Sequence, residues 1–170
     1  MFASTQIAAL LHNEHIHTIQ ALQRLEGFLM KQTAKQVPDL SVTDVVETLA
    51  GTIGAVASEV ERHFGFEENH LFPVLMEQGE SGIALFLTEE HATILPLAQE
   101  LAVEVDEAKV AGFSAAGWKA FYAKALELCE REIFHIQKEE MGLLAAISMY
   151  VDSDCDAQLA ELYNKLTAHG

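Results

Sequence analysis

Six side chains of this sequence combine metal-ligating chemistry with positions on the predicted apolar faces of helices. They are His15, His63, Glu67, His91, His135 and Glu139. Two of the histidines are each followed by a glutamate four residues later, and on a helix this spacing stacks both side chains on one face. Burying an unpaired imidazole or carboxylate costs several kcal/mol. The pattern therefore predicts that these groups meet around metal ions in a buried site.

The polar residues recur in two halves of the chain. Glu14-His15 is answered by Glu90-His91, and HFGFEE beginning at His63 is answered by HIQKEE beginning at His135. Each half thus reads as a histidine on one helix and an HxxxEE string on the next. Two such helical hairpins around a pseudo-two-fold axis would bring all four histidines to one level.

The ligand types discriminate among metals. Imidazole suits iron, zinc, copper and nickel, and no thiolate belongs to the set. Four histidines argue against the all-oxygen cages that hold calcium or magnesium. Two carboxylates, one from each half, could each bridge two metals. We therefore expect a dinuclear site, with iron as the first choice and manganese or zinc as alternatives.

Helical periodicity runs almost throughout the chain and predicts an all-α fold. The predicted architecture is an up-down-up-down four-helix bundle with a short extra C-terminal helix, in a single domain over 1–170. The bundle would occupy about 5–150 and the extra helix about 154–168. The four long helices are expected at about 5–31, 41–78, 83–108 and 118–146.

The apolar stripes supply more detailed expectations. The second helix would begin with a capping box formed by Ser41 and Asp44, and its stripe would run past Glu67 through His70 and Val74. The fourth helix would carry Gly142 and Ala146 beyond Glu139. The predicted inner face of the last helix consists of Leu159, Leu162 and Leu166.

Composition narrows the range of partners. The 26 acidic and 10 basic residues give a net charge of −16, which repels nucleic acid and anionic lipid. No apolar run approaches the roughly 20 residues that span a bilayer, and the N-terminus lacks a basic region and cleavage signal. Cys129 and Cys155 cannot build a disulfide framework, so we expect both to pack. We predict a cytoplasmic monomer or homodimer.

With these motifs in hand, the sequence resembles the hemerythrin-like, or HHE cation-binding, family over roughly 8–150. The resemblance rests on Glu14-His15, the string HFGFEENHLFP from His63, Glu90-His91 and HIQKEEMGLL from His135. It implies two iron ions in an oxo- or hydroxo-bridged centre. By position, His15 and His63 would hold one iron and His91 and His135 the other. Glu67 and Glu139 would bridge them.

One departure from the family pattern bears on function. The O₂-carrying hemerythrins have an HxxxH pair on the third helix, whereas here Leu95 stands four residues after His91. The chain is closer to the bacterial four-histidine type, which includes iron–sulfur cluster repair proteins. We expect binding of, or reaction with, O₂, peroxide or nitric oxide in sensing, detoxification or iron-centre repair. The alternatives are an iron storage or homeostasis module and a dinuclear-metal oxidase or hydrolase.

A competing motif is the Glu-x-x-His string of ferritin-like di-iron proteins. It occurs twice, as Glu67 to His70 and as Glu132 to His135. The two strings fall at unmatched positions of the repeat. The ferritin pattern also requires a lone glutamate, not a lone histidine, on each partner helix, so we favour the hemerythrin-like interpretation.

Several further polar residues lie one turn or less from the six. His12 and His70 would line one end of the site as outer donors or a fifth ligand, with Gly142 leaving space there. Glu132 would orient a ligand histidine. Glu68 and Glu140 point about 100° away from their neighbouring glutamates. We expect them to be solvated, although a carboxylate there could still reach a metal.

Overall fold

The computed structural model of the chain describes residues 5–168 and shows an all-α protein. Its elements are α1 (Gln6–Met30), α2 (Thr43–Phe66), α3 (Phe72–Glu77), α4 (Gly82–Ala111), α5 (Ala115–Lys138), α6 (Leu144–Tyr150) and α7 (Ser153–Thr167). Two π-helical segments, Glu67–Leu71 and Glu139–Leu143, join α2 to α3 and α5 to α6 without a break. Residues 5–168 thus form five continuous helices, which confirms the predicted helical bundle with an extra C-terminal helix.

The predicted stripes of the long helices are mostly buried, as expected. In α1, Leu11, Leu22, Leu25 and Leu29 have no exposed surface, whereas Ile19 is only half-buried. The stripes of α2, α4 and α5 are likewise mostly buried, although Val46 and Ile83 are only half-buried. Burial of apolar surface contributes a favourable free energy of roughly 25 cal/mol for each Å² removed from water. Packing of these apolar faces therefore holds the helices together.

Beyond the two ligand glutamates, the predicted stripes were wrong by one residue. After Glu67 the buried residues are Leu71, Phe72 and Leu75, while His70 and Val74 are only half-buried. The cause is the π-helical segment, in which the N–H of Phe72 donates to the carbonyl of Glu67, five residues back. The extra residue turns the following helix face.

The same shift occurs in the second repeat. Here the N–H of Leu144 donates to the carbonyl of Glu139. Leu143 is fully buried in place of the predicted Gly142, although Ala146 is buried as expected. The register shift is therefore a property of both halves of the chain.

The first residues of α2 are held differently from what the sequence predicted, and α7 begins with a cap that the sequence did not predict. The capping box at Ser41 was wrong, because α2 begins at Thr43 and the Ser41 hydroxyl donates to Asp39 at 2.7 Å. The start of α7 is capped by Asp152, whose carboxylate accepts from the N–H groups of Asp154 and Cys155. An Asp at this position stabilises a helix by satisfying its free N–H groups.

The chain forms two compact units. Unit 1 comprises 1–17, 62–91 and 135–170, and unit 2 comprises 18–61 and 92–134. In unit 2, the Trp118 indole donates to the carbonyl of Thr33 at 2.8 Å. The single-domain prediction stays a prediction.

The structure also bears on the predicted packing of the two cysteines and on whether a helix could span a membrane. Both cysteines are free thiols, with Cys129 buried and Cys155 half-buried. Burial raises the pKa of the Cys129 thiol to about 12, so it packs as a neutral group. Among residues 5–168, no helix has the length and apolar character that a membrane crossing requires.

Candidate metal centre

All six predicted ligand residues belong to unit 1 and are buried. Their side chains converge from α1, α2, α4, α5 and the two π-helical segments. Glu67, His135 and Glu139 have no exposed surface at all. The structure therefore brings together the whole set that the sequence singled out.

Two groups of ligand atoms are close enough to hold an ion each. One consists of His15, His63 and Glu139, and the other of His91, His135 and Glu139. Within each group the ligand atoms lie within 4.8 Å of one another. The division agrees with the expected pairing of the histidines.

The imidazoles of each pair face each other through the same nitrogen. His15 Nε2 lies 3.3 Å from His63 Nε2, and His91 Nε2 lies 3.1 Å from His135 Nε2. All four Nδ1 atoms contact carboxylates, which can only accept, so Nδ1 carries the proton in the neutral ring. The Nε2 lone pairs then point at one another, an arrangement that a cation between them would stabilise.

Glu139 reaches both histidine pairs with different oxygens. Its Oε2 lies 2.9 Å from His15 Nε2 and 3.5 Å from His63 Nε2. Its Oε1 lies 2.8 Å from His135 Nε2 and 3.8 Å from His91 Nε2. One carboxylate thus presents one oxygen to each cluster.

Glu67 repeats this arrangement. Its Oε1 lies 3.4 Å from His63 Nε2, and its Oε2 lies 3.4 Å from His91 Nε2. Glu67 therefore also directs one oxygen to a histidine of each pair, although it belongs to neither of the two clusters.

The buried donor set fits metal ions. None of the four oxygens of Glu67 and Glu139 has a hydrogen-bond partner of acceptable geometry among residues 5–168. A buried carboxylate without such partners is costly. Cations between the imidazole and carboxylate groups would satisfy these oxygens and the Nε2 lone pairs together.

A second ring of carboxylates holds the outer nitrogen of every ligand histidine. The contacts are Glu140 to His15 Nδ1 at 2.6 Å, Glu14 to His63 Nδ1 at 3.0 Å, Glu68 to His91 Nδ1 at 2.8 Å and Glu90 to His135 Nδ1 at 2.9 Å. Such carboxylate–histidine pairs fix the ring orientation and raise ligand basicity. Glu68 is exposed and Glu140 is half-buried, as expected, but each also contacts a ligand histidine, which the sequence analysis did not predict.

A model of the hemerythrin HHE cation-binding domain matches residues 6–147. The chain belongs to this family. Membership identifies a metal-binding helical domain, and the matched range includes all six ligand residues and the four outer carboxylates. No curated protein is similar enough to count as a relative. The four-histidine subtype stays a prediction.

The outer carboxylates of this hemerythrin-type domain have their own partners. Glu14 is contacted by Arg62 and by the Tyr163 hydroxyl, and Glu90 by Lys138. Burial alone would raise the pKa of Glu14, but His63, Tyr163 and Arg62 outweigh it and lower the pKa to about 2. The Glu14 carboxylate is thus ionised whenever the protein is folded near neutral pH.

In the hemerythrin-type site without metal, three ligand imidazoles, those of His15, His63 and His91, favour their protonated form. Burial opposes a charge on His91, yet its contacts with Glu139, Glu67 and Glu68 raise its pKa to about 9. The pKa of His63 is likewise held well above 6.5 against the effect of burial. Metal binding must displace these protons, as metal ligation by histidine requires.

Aromatic rings pack against the ligand imidazoles. The Phe64 ring stacks on His91 with centroids 3.7 Å apart and meets His135 edge-on at 5.1 Å. Phe72, which the π-helical segment turns inward, stacks on His91 at 5.7 Å. The stack restrains the His91 ring and makes its surroundings apolar.

The additional polar residues have mixed outcomes. His12 lies 2.9 Å from Glu140, so it contacts an outer carboxylate, whereas the His70 ring packs against Phe66 at 5.7 Å. Neither belongs to the two clusters. The space expected at Gly142 is taken by Ile83, whose Cδ1 would lie 3.1 Å from a Cβ there. Glu132 is buried in unit 2, and its role stays a prediction.

Proposed function

We propose that this protein is a non-haem di-iron protein that binds or reacts with O₂, peroxide or nitric oxide. His15 and His63 would hold one iron, His91 and His135 the other, and Glu67 and Glu139 would bridge them. The observation that carries the proposal is the division of each carboxylate, whose two oxygens are directed to different histidine pairs. When bound, iron supplies reversible one-electron chemistry and open positions for a small ligand.

The residues of the chain prepare the site for that chemistry. The outer carboxylates hold the Nδ1–H groups, so each Nε2 is fixed toward the metal position. Phe64, Phe72 and Leu71 are buried and exclude water. A small diatomic molecule fits such an apolar setting better than a large polar substrate.

Cell location and partners form part of the same proposal. The net charge of −16 disfavours nucleic acid and anionic membranes as partners. We propose a cytoplasmic protein acting as a monomer or homodimer on a small ligand.

Anaerobic reconstitution with Fe(II), followed by elemental analysis, tests the metal content. We expect two irons per chain in the natural sequence. Glu139→Gln and Glu67→Gln should each reduce this stoichiometry, because an amide is a weaker ligand and cannot neutralise the ions. Glu89→Gln is the matched control, since Glu89 is exposed on α4 next to the site segment.

Exposure of the reconstituted protein to air tests the reactivity. A near-ultraviolet absorption change that reverses when oxygen is removed supports ligand binding at the irons. Irreversible oxidation with iron loss would favour a storage or delivery module. Turnover of an added substrate would favour an oxidase or hydrolase. Full metal content in both glutamate variants would reject the proposed ligand set.

A further inference from the structure

The C-terminal helix α7 (Ser153–Thr167) begins after the region matched by the family model, which ends at residue 147. Its buried face consists of Asp156, Leu159, Ala160 and Tyr163. The sequence had predicted Leu162 and Leu166 on this face, but Leu162 is half-buried and Leu166 is exposed. The buried face of α7 therefore contains two polar groups, those of Asp156 and Tyr163, where the sequence predicted only apolar side chains.

Asp156 fastens α7 to the beginning of α1. Its carboxylate accepts from the N–H of Gln6 at 2.8 Å and from the N–H of Ile7 at 2.9 Å. These N–H groups lie in the first turn of a helix, where they have no partner within the helix and attract a negative charge. The contact sets the position of α7 along α1.

Tyr163 makes the second contact, seven residues further along both helices. Its hydroxyl donates to Glu14 Oε2 at 2.5 Å. Ile7 and Glu14 are also seven residues apart, so α7 runs parallel to the first part of α1. The Tyr163 ring meets Phe66 edge-on at 5.2 Å, which fixes the direction of its hydroxyl.

Glu14 passes this contact to a ligand histidine. The same oxygen, Oε2, lies 3.0 Å from Nδ1 of His63. Tyr163, Glu14 and His63 thus form one hydrogen-bonded chain from α7 to the predicted iron position. Glu14 is 5% exposed, so water screens this chain poorly.

We propose that Tyr163 is a positioning residue that tunes the metal held by His15 and His63 through Glu14, which makes α7 a functional part of the metal site. The inference rests on the proposed iron ligation. The Tyr163 hydroxyl takes up part of the Glu14 negative charge, so Glu14 draws less on the Nδ1–H of His63. Without it, His63 becomes a stronger electron donor and stabilises the more oxidised metal.

Tyr163→Phe tests the proposal, because it removes the hydroxyl and keeps the ring that packs on Phe66. The matched control is Tyr122→Phe, which removes a hydroxyl that donates to the Leu29 carbonyl in unit 2. In protein reconstituted with ⁵⁷Fe, we expect Tyr163→Phe to shift the Mössbauer signal of one iron and leave the other. We also expect a more negative midpoint potential. The control should match the natural sequence in both measurements.

Nitrogen NMR of the metal-free protein provides a readout that does not depend on iron. Tyr163→Phe should shift the Nδ1 resonance of His63 and leave that of His135, which is held by Glu90. Unchanged Mössbauer spectra and potential in an iron-loaded, folded Tyr163→Phe protein would overturn the inference. If neither protein binds iron, the proposed function fails, and the NMR comparison still shows whether the contact exists in solution.

Discussion

At the scale of single residues, each ligand histidine is held between an inner and an outer carboxylate. The inner pair, Glu67 and Glu139, are fully buried. The outer ones arise from the Glu-His doublet and the HxxxEE string, each of which occurs once in each half. The glutamate of each Glu-His doublet holds the histidine of the adjacent HxxxEE string, and the last glutamate of each string holds the histidine of the other half's doublet. This reciprocal arrangement gives every Nδ1 an acceptor.

Glu140→Gln should weaken iron binding, because the amide no longer draws on Nδ1–H of His15. Loss of an outer partner typically costs about 10–100-fold in metal affinity, and because Glu140 is partly exposed we expect a loss of about tenfold. Competition with a chromophoric Fe(II) chelator measures it. Glu89→Gln and His70→Ala serve as controls and should bind as the natural sequence does. Equal affinity in all variants would show that the outer carboxylate contributes nothing.

At the scale of helices, both site helices change from α to π geometry at the bridging glutamate. The spacing from His63 to Glu67 stays α-helical, so both side chains remain on one face. The register shift falls on the residues that follow, and it turns Leu71 and Phe72 into the core. Single π turns within α-helices commonly mark functional sites. Here the segment directs a carboxylate inward and then restores an apolar face.

Deletion of Asn69 should convert the first π-helical segment to a regular helix, because it removes the one extra residue. The flanking core residues keep their faces, so we expect cooperative thermal unfolding by circular dichroism. Glu68 would turn away from His91, and iron affinity should fall about tenfold. Deletion of exposed Ser58 in regular α2 is the control. It rotates one part of the helix by about 100° against the other and should abolish folding or iron binding.

The two deletions remove residues from different parts of one continuous helix, Asn69 from the π-helical segment and Ser58 from regular α-helix. Comparable loss of folding in both deletions would mean that the π geometry is required by the fold itself. Unchanged iron affinity after deletion of Asn69 would mean that the position of Glu68 does not depend on the π-helical segment.

At the scale of the whole molecule, most buried acidic side chains among residues 5–168 belong to unit 1, which contains both inner and all four outer carboxylates, whereas Glu132 is buried in unit 2. The positive charges of the imidazoles, Arg62 and Lys138 offset part of the energetic cost of placing so many carboxylates together. Metal ions would add the remaining positive charge. Unit 2 has a largely apolar core, with Leu49, Ile53 and Trp118 fully buried.

Iron should therefore stabilise the folded protein. A ligand at 100 times its dissociation constant adds about 2.7 kcal/mol to the free energy of unfolding. We expect a chelator to lower the urea midpoint of iron-loaded protein and excess Fe(II) to restore it. The double variant Glu67→Gln/Glu139→Gln should show the same midpoint with and without iron. A midpoint insensitive to iron in the natural sequence would contradict this expectation.

The sequence by itself determined the fold class, the helix positions within a few residues, and the six residues that converge. It could do so because helical periodicity and the i, i+4 spacing are local properties, and because polar residues on apolar faces stand out. The repeated doublets Glu14-His15 and Glu90-His91 also carried a signal for the outer carboxylates, which the sequence interpretation left unused.

Only the tertiary structure decided which side chain lies against which. The π-helical segments depend on packing around Glu67 and Glu139. No local sequence pattern therefore predicted the one-residue shift that buries Phe72 and leaves His70 half-buried. The contact of Tyr163 with Glu14 joins residues 149 positions apart. Such a contact exists only because α7 packs along α1, and helical periodicity within α7 carries no information about its partner.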